Sequence, residues 1–120
     1  MKKGSLINSF KYAIEGLISN LKTERNLLIH FSVSILVIIA GFIFSINLYE
    51  WLICIVLFGM VISLELMNTA FEKLADLCMP NIDPKVKFIK DTAACSVFIA
   101  AIIAVIAGII IFLPKVLNIF

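Results

Sequence analysis

Four side chains in the stretch Glu65-Leu66-Met67-Asn68-Thr69-Ala70-Phe71-Glu72-Lys73-Leu74-Ala75-Asp76 could do chemistry together. On a helix at 100° per residue, Glu65, Glu72 and Asp76 fall almost in line, and Asn68 lies beside them. The stretch continues directly from the apolar run Trp51 to Leu64. A stripe of acids therefore runs down one end of what reads as a membrane helix. Ionisable groups at such a depth are costly, and they point by default to function.

Other polar residues gather on the same side of the chain: Glu24, Arg25, Asn26, Asp83, Lys90 and Asp91. Carboxylates with an asparagine suit Mg²⁺, a hard ion that prefers oxygen and shares its ligands with substrate phosphates. Lys90 could neutralise phosphate oxygens. Phosphoryl transfer needs mainly positioning, metal and positive charge, with a base near the attacking hydroxyl. A carboxylate at the membrane interface could be that base for a lipid alcohol. These residues describe a cytosol-facing, metal-using site that acts on a membrane-resident substrate. Two other readings stand beside it. The acids and lysines could be ordinary interfacial ion pairs at a solvated helix end. Alternatively, Glu65 and Glu72 could bind a cation or proton in a small transporter or channel subunit. Against a transporter, the acids cluster at one end, and the other apolar segments carry no mid-membrane charge to continue a path.

The elements that must position these groups are helices in a membrane. The chain has 120 residues, enough for a single domain, residues 1–120, and 62% of them are hydrophobic. Its mean hydropathy is +1.14. Soluble domains are only about 45–50% apolar, so the class is all-α membrane protein. A net charge of +2 gives no support to a nucleic-acid partner. Cys54, Cys78 and Cys95 lack metal-ligand spacing and read as small packing residues. No phosphate-binding glycine loop is present.

Residues 4–22 place Leu6, Ile7, Phe10, Ala13, Ile14, Leu17, Ile18 and Leu21 at helical spacing among lysines. They predict an amphipathic helix on the membrane surface. No secretory signal is expected, because the first apolar segment begins only near Leu27 and no cleavage pattern follows it. Three spans are predicted at about 27–48, 51–76 and 88–113. Between the first two lies a polar turn, where Tyr49 and Trp51 suit the headgroup level. Pro80 and Pro84 bound the next turn. Thr92, Ala93, Ala94 and Ser96 allow close helix approach in the third span, and Pro114 and Lys115 close it. Nine of the ten basic residues (Lys2, Lys3, Lys11, Lys22, Arg25, Lys73, Lys85, Lys87, Lys90) lie on one side, and only Lys115 lies on the other. The positive-inside rule then places the N-terminus and the acidic stripe at the cytosol and the C-terminus outside. Three helices bury little surface alone, so a homo-oligomer in the cell membrane is expected.

The motif Glu65-Leu66-Met67-Asn68-Thr69-Ala70-Phe71-Glu72, with Asp76 behind it and Lys90-Asp91 before a small-residue helix, resembles the signature of the prokaryotic diacylglycerol kinase family. Glu24-Arg25-Asn26 with His30, and Phe10-Lys11-Tyr12-Ala13 with Gly16, match as well. The resemblance spans nearly the whole chain at the family's spacing. It implies an integral-membrane lipid kinase that uses ATP and Mg²⁺, a homotrimer of three-span protomers with sites between them. By position it implies Glu65 as general base on the lipid hydroxyl, and Glu24 and Glu72 as holders of Mg²⁺ and its nucleotide. It implies Tyr12, Asn68, Asp76, Lys90 and Asp91 at the ATP site, and Asn26, His30 and Ala94 near the lipid. A basic residue that some members carry near the start of the surface helix falls at Ser5 here, with Lys2 or Lys3 as substitutes. The Glu24-Arg25-Asn26 and Ile29-His30 forms look more like the Gram-positive branch, whose members are similar to undecaprenol kinases. The implied reaction is phosphorylation of undecaprenol to undecaprenyl phosphate, with diacylglycerol to phosphatidic acid as the alternative.

Overall fold

The computed structural model describes residues 5–119, and every regular element among them is helical. The helices are α1 Leu6–Thr23, α2 Arg25–Ile43, α3 Leu48–Cys78 and α4 Pro84–Ile119. α2, α3 and α4 are each long and apolar enough to cross a membrane. Residue 4, expected to open the first helix, and the substitutes Lys2 and Lys3 lie outside the described residues. Ser5 caps α1, its Oγ accepting the Asn8 N–H at 3.2 Å. The position where some relatives are expected to carry a base is therefore used here to start a helix.

A single extended residue, Glu24, separates α1 from α2 and serves as the C-cap of one and the N-cap of the other. Its N–H donates to the Asn20 carbonyl at 2.7 Å. Its carboxylate makes no capping bond, which leaves it free for another partner.

α2 stops at Ile43, whereas hydropathy carried the first span to Leu48. The reason is a left-handed turn. Ser45 has φ 51°, the Ile46 N–H donates to Gly41 O at 3.1 Å, and the Ser45 N–H donates to Phe42 O at 3.4 Å. That double bond pattern satisfies the last carbonyls and ends a helix without a glycine at the left-handed position. α3 then begins with a reciprocal cap. The Asn47 Oδ1 accepts the Glu50 N–H at 2.9 Å, and the Glu50 Oε1 accepts the Asn47 N–H at 3.0 Å.

α3 ends at Cys78, just before Pro80. Asp83 starts α4, its Oδ1 accepting the Lys85 N–H at 2.7 Å, with Pro84 at the first helical position, where its missing N–H costs nothing. α4 passes through Pro114 to Ile119, although the sequence reading closed the third span at Leu113. A proline inside a helix disturbs the preceding turn. It leaves the Ile110 carbonyl without its helical N–H; in the same turn the Lys115 ammonium donates to the Ile111 carbonyl at 3.1 Å and to Glu50 Oε2 at 2.7 Å.

α3 packs mainly on α4, with α2 alongside. Among the buried and half-buried positions of α3 are Cys54, Phe58, Val61, Glu65, Asn68, Glu72 and Ala75, and among those of α4 are Val86, Lys90, Ala93, Val97, Ala100, Ala104, Ala107 and Ile111. Both sets step by four and three residues in alternation, the 3.5-residue repeat of a left-handed packing seam. At the Asn47 end of the seam Ile46, Cys54 and Ile111 form a core, with Val37, Phe44, Trp51, Phe58 and Phe112 packed against it. Trp51, expected at the headgroup level, packs inside the chain, and its ring lies against Gly41. A Cβ on Gly41 would meet the Trp51 Cη2 at 2.5 Å. Of the cysteines only Cys54 packs inside the chain; Cys78 and Cys95 are exposed, and all three are free thiols.

Candidate active site

Glu65, Asn68 and Glu72 are consecutive positions of the α3 seam, so this part of the stripe turns inward, whereas Asp76 beyond it is exposed. Glu65 is 4% exposed and Asn68 7%. The Glu65 Oε2 lies 3.8 Å from the Nε2 of His30 on α2. Glu24 and Glu72 are near enough for their charges also to act on the Glu65 carboxyl. The Asn68 Oδ1 is buried and has no hydrogen-bond partner among the described residues. Leaving a buried polar atom unpartnered costs about 1–3 kcal/mol, a cost that an arriving donor or cation would remove.

Three cavities border α3. An apolar one of about 360 Å³ lies between α2, α3 and α4, lined by His30, Val33, Val37, Val61, Ala104 and Ile111 among others. Val61 is one turn before Glu65, so the apolar space approaches the buried carboxyl. A charged cleft of about 430 Å³ lies where α3 gives way to α4. Glu72, Asp76, Asp83 and Asp91 supply four carboxylates to its lining, and Lys87 and Lys90 supply two ammonium groups. The Lys90 Nζ donates to Asp76 Oδ1 at 2.7 Å, and Lys87 pairs with Asp91. A third, polar cavity of about 280 Å³ on a different face of α3 is lined by Ser19, Asn20, Thr23, Glu24, Thr69 and Lys73. There the Lys73 Nζ lies 3.5 Å from the Glu24 carboxylate.

The single chain therefore brings some expected site residues together and not others. Glu72, Asp76, Lys90 and Asp91 share the charged cleft, and Ala94 lines it with them rather than the apolar cavity beside His30. Glu65 and His30 form the buried pair. Glu24 sits with Lys73 on another face. Tyr12 and Asn26 are exposed and line none of these three cavities.

The sequence profile described as prokaryotic diacylglycerol kinase matches residues 11–112, a range that holds every candidate site residue from Tyr12 to Ala94. The chain belongs to the prokaryotic diacylglycerol kinase family. It is thus a member of a lipid kinase family. It is 41% identical over 107 residues to the undecaprenol kinase of Bacillus subtilis, covering 89% of this chain and 87% of that protein. It is 35% identical over 115 residues to a diacylglycerol kinase of Synechocystis, covering 95% of this chain and 66% of that one. Membership makes the chain a lipid kinase rather than a transporter or channel subunit.

For this family member, inspection of the sequence missed three features of the site. Nothing in the spacing of His30 and Glu65, on different helices, announces that they meet. Lys73 reads as one more cytosolic lysine, yet it approaches the Glu24 carboxylate. Thr69 is buried at 9% exposure, though it lies off the line of acids. Its place in the Glu65-to-Glu72 motif was the one available signal.

Proposed function

We propose that the chain transfers the γ-phosphoryl group of ATP, with Mg²⁺, to the hydroxyl of a membrane lipid alcohol, and that this alcohol is undecaprenol. The observation that carries the reading is the order of environments along α3. An apolar cavity reaches Val61, the buried Glu65 follows one turn later, and Glu72 and Asp76 open into the charged cleft. From Glu65 to Asp76 the rise along the helix is about 16 Å at 1.5 Å per residue. One helix thus joins a space suited to hydrocarbon with a space suited to a soluble, charged donor.

Glu65 accepts the proton of the lipid hydroxyl as its oxygen attacks the γ-phosphorus. Lys90 faces the phosphates, with Asn68, Asp76, Asp91 and Tyr12 at the nucleotide. Asn26 and His30 lie toward the lipid, while Ala94, expected beside them, borders the charged cleft. The donor set fits Mg²⁺. The cleft has more carboxylates than ammonium groups, so a triphosphate entering it needs added positive charge. Among the described residues no three His, Cys, Asp or Glu side chains gather to hold an ion by themselves. Two carboxylates, Glu24 and Glu72, with water and phosphate oxygens completing the shell, are the usual form of a Mg²⁺ site of this kind. When bound, the ion would neutralise charge on the transferring phosphates.

The same reading makes the protein a homotrimer with sites between protomers, in the cell membrane, with the N-terminus and site cytosolic and the C-terminus outside. The exposure of Tyr12 and Asn26 supports shared sites, since a second copy could bring them to the cleft. α1 buries no residue within the chain, and Leu6, Ile7, Phe10, Ile14 and Ile18 are exposed along it. That pattern supports an amphipathic helix resting on lipid. Undecaprenol is favoured over diacylglycerol by the higher identity and fuller mutual coverage of the relative named for it.

Transfer from [γ-³²P]ATP to each lipid in detergent tests the proposal. Labelled undecaprenyl phosphate is expected. Labelling of diacylglycerol alone would replace the substrate, and labelling of neither would remove the activity.

A further inference from the structure

Proton transfer to Glu65 leaves a proton on a buried group, which must lose it before the next turnover. Among the described residues Glu65 has one basic neighbour, the His30 imidazole at 3.8 Å. Hydrogen bonds to nitrogen span about 2.7–3.2 Å, so a small side-chain rotation closes the gap. The other charged groups acting on Glu65 are Glu24, from the α1–α2 junction, and Glu72, from α3 itself; among the described residues α4 adds none. Both are acids, and both are given to the metal above. The His30 side chain is 24% exposed against 5% for Glu65, so the imidazole is the more open of the pair.

We propose that His30 is a positioning residue for Glu65 that also receives its proton. The inference rests on reading Glu65 as the base. The lipid O–H bond breaks as its oxygen bonds the γ-phosphorus, and the bond from that phosphorus to the bridging oxygen breaks, leaving with ADP. The proton goes to Glu65 Oε2, then to His30 Nε2, and leaves the imidazole to water. Nothing is oxidised or reduced. While the proton rests on His30, the imidazolium balances the ionised carboxylate, which a buried acid needs.

His30 is the only histidine in the chain, so ¹⁵N-histidine labelling of the full-length protein in detergent micelles reads this side chain alone. Glu65→Gln is expected to move the Nε2 resonance. His30→Gln is expected to lower kcat about 10–100-fold, the lower part of the range for proton-transfer groups, at unchanged KM for ATP. In His30→Ala, added imidazole is expected to restore part of the lost kcat, which a purely packing role would not allow. An Nε2 resonance indifferent to Glu65→Gln, a wild-type kcat in His30→Gln, or no rescue by imidazole overturns the proposal. If the wild-type chain phosphorylates lipid, such a result removes only the role of His30. If it phosphorylates none, the role of Glu65 falls with it.

Discussion

The two ends of α3 lie in one seam and treat polar groups in opposite ways. At the Asn47 end the groups close on one another. Asn47 and Glu50 satisfy each other's N–H groups, and the second Glu50 oxygen takes Lys115. Trp51 fills the space over Gly41, and Phe44 meets Phe112 edge-on at 6.2 Å. At the other end, seam positions that could have been apolar carry Glu65, Asn68 and Glu72. Among the described residues Asn68 Oδ1 has no partner, Glu65 has its basic neighbour at 3.8 Å, and the Glu24 carboxylate caps neither helix it joins. The first end is finished as a structure. The second pairs its outer acids, Asp76 with Lys90 and Glu24 with Lys73, but leaves its buried polar groups incompletely satisfied among the described residues, as expected of a candidate site rather than a core.

Substitutions at the two ends should therefore separate activity from stability. The largest effect is expected for Glu65→Gln, a loss of about 10²–10⁴-fold in turnover if it is the base. Nucleotide binding should persist and the thermal midpoint should not fall, since a neutral amide replaces a buried carboxylate. A stability loss with residual chemistry would make Glu65 part of the core. Glu72→Gln should raise the Mg²⁺ concentration for half-maximal rate about tenfold or more, the range for lost ligand support, and an unchanged metal dependence would remove it from the metal site.

At the closed end, Gly41→Ala should cost about 1–3 kcal/mol in unfolding free energy, because its Cβ would enter the Trp51 ring. Turnover by the molecules that remain folded should be unaffected. Asn68→Leu inverts the pattern: removing an unpartnered buried oxygen should stabilise the protein by up to about 1–2 kcal/mol while lowering activity. The smallest effect is that of Asn47→Ala, a loss of about 1 kcal/mol from the missing cap, read by denaturation and again without effect on kcat. An Asn47→Ala enzyme that lost activity before stability would show that the two ends are coupled.

Much of the fold was legible in the residues. The apolar runs predicted three long helices, and the spacing of Glu65, Glu72 and Asp76 put them in order along one of them. Pro80 and Pro84 marked the turn before α4. The stop at Ile43 was hidden, because the chain uses Ser45 in a left-handed turn where a glycine would have signalled it, and because hydropathy stays high through Leu48. The continuation through Pro114 was hidden as well, because a proline ordinarily ends a helix.

The candidate site divides along the same line. Which residues could act, and their sequence along α3, follow from periodicity, a local property that any helix of this sequence would have. That Glu65 and Glu72 lie inside the seam while Asp76 stays exposed does not follow from it, and neither does the meeting of His30 with Glu65 or of Lys73 with Glu24. Those depend on the rotation and register of α2 and α4 against α3. Packing of side chains such as Trp51 on Gly41 and Phe44 on Phe112 sets that register, through contacts between residues far apart in the chain.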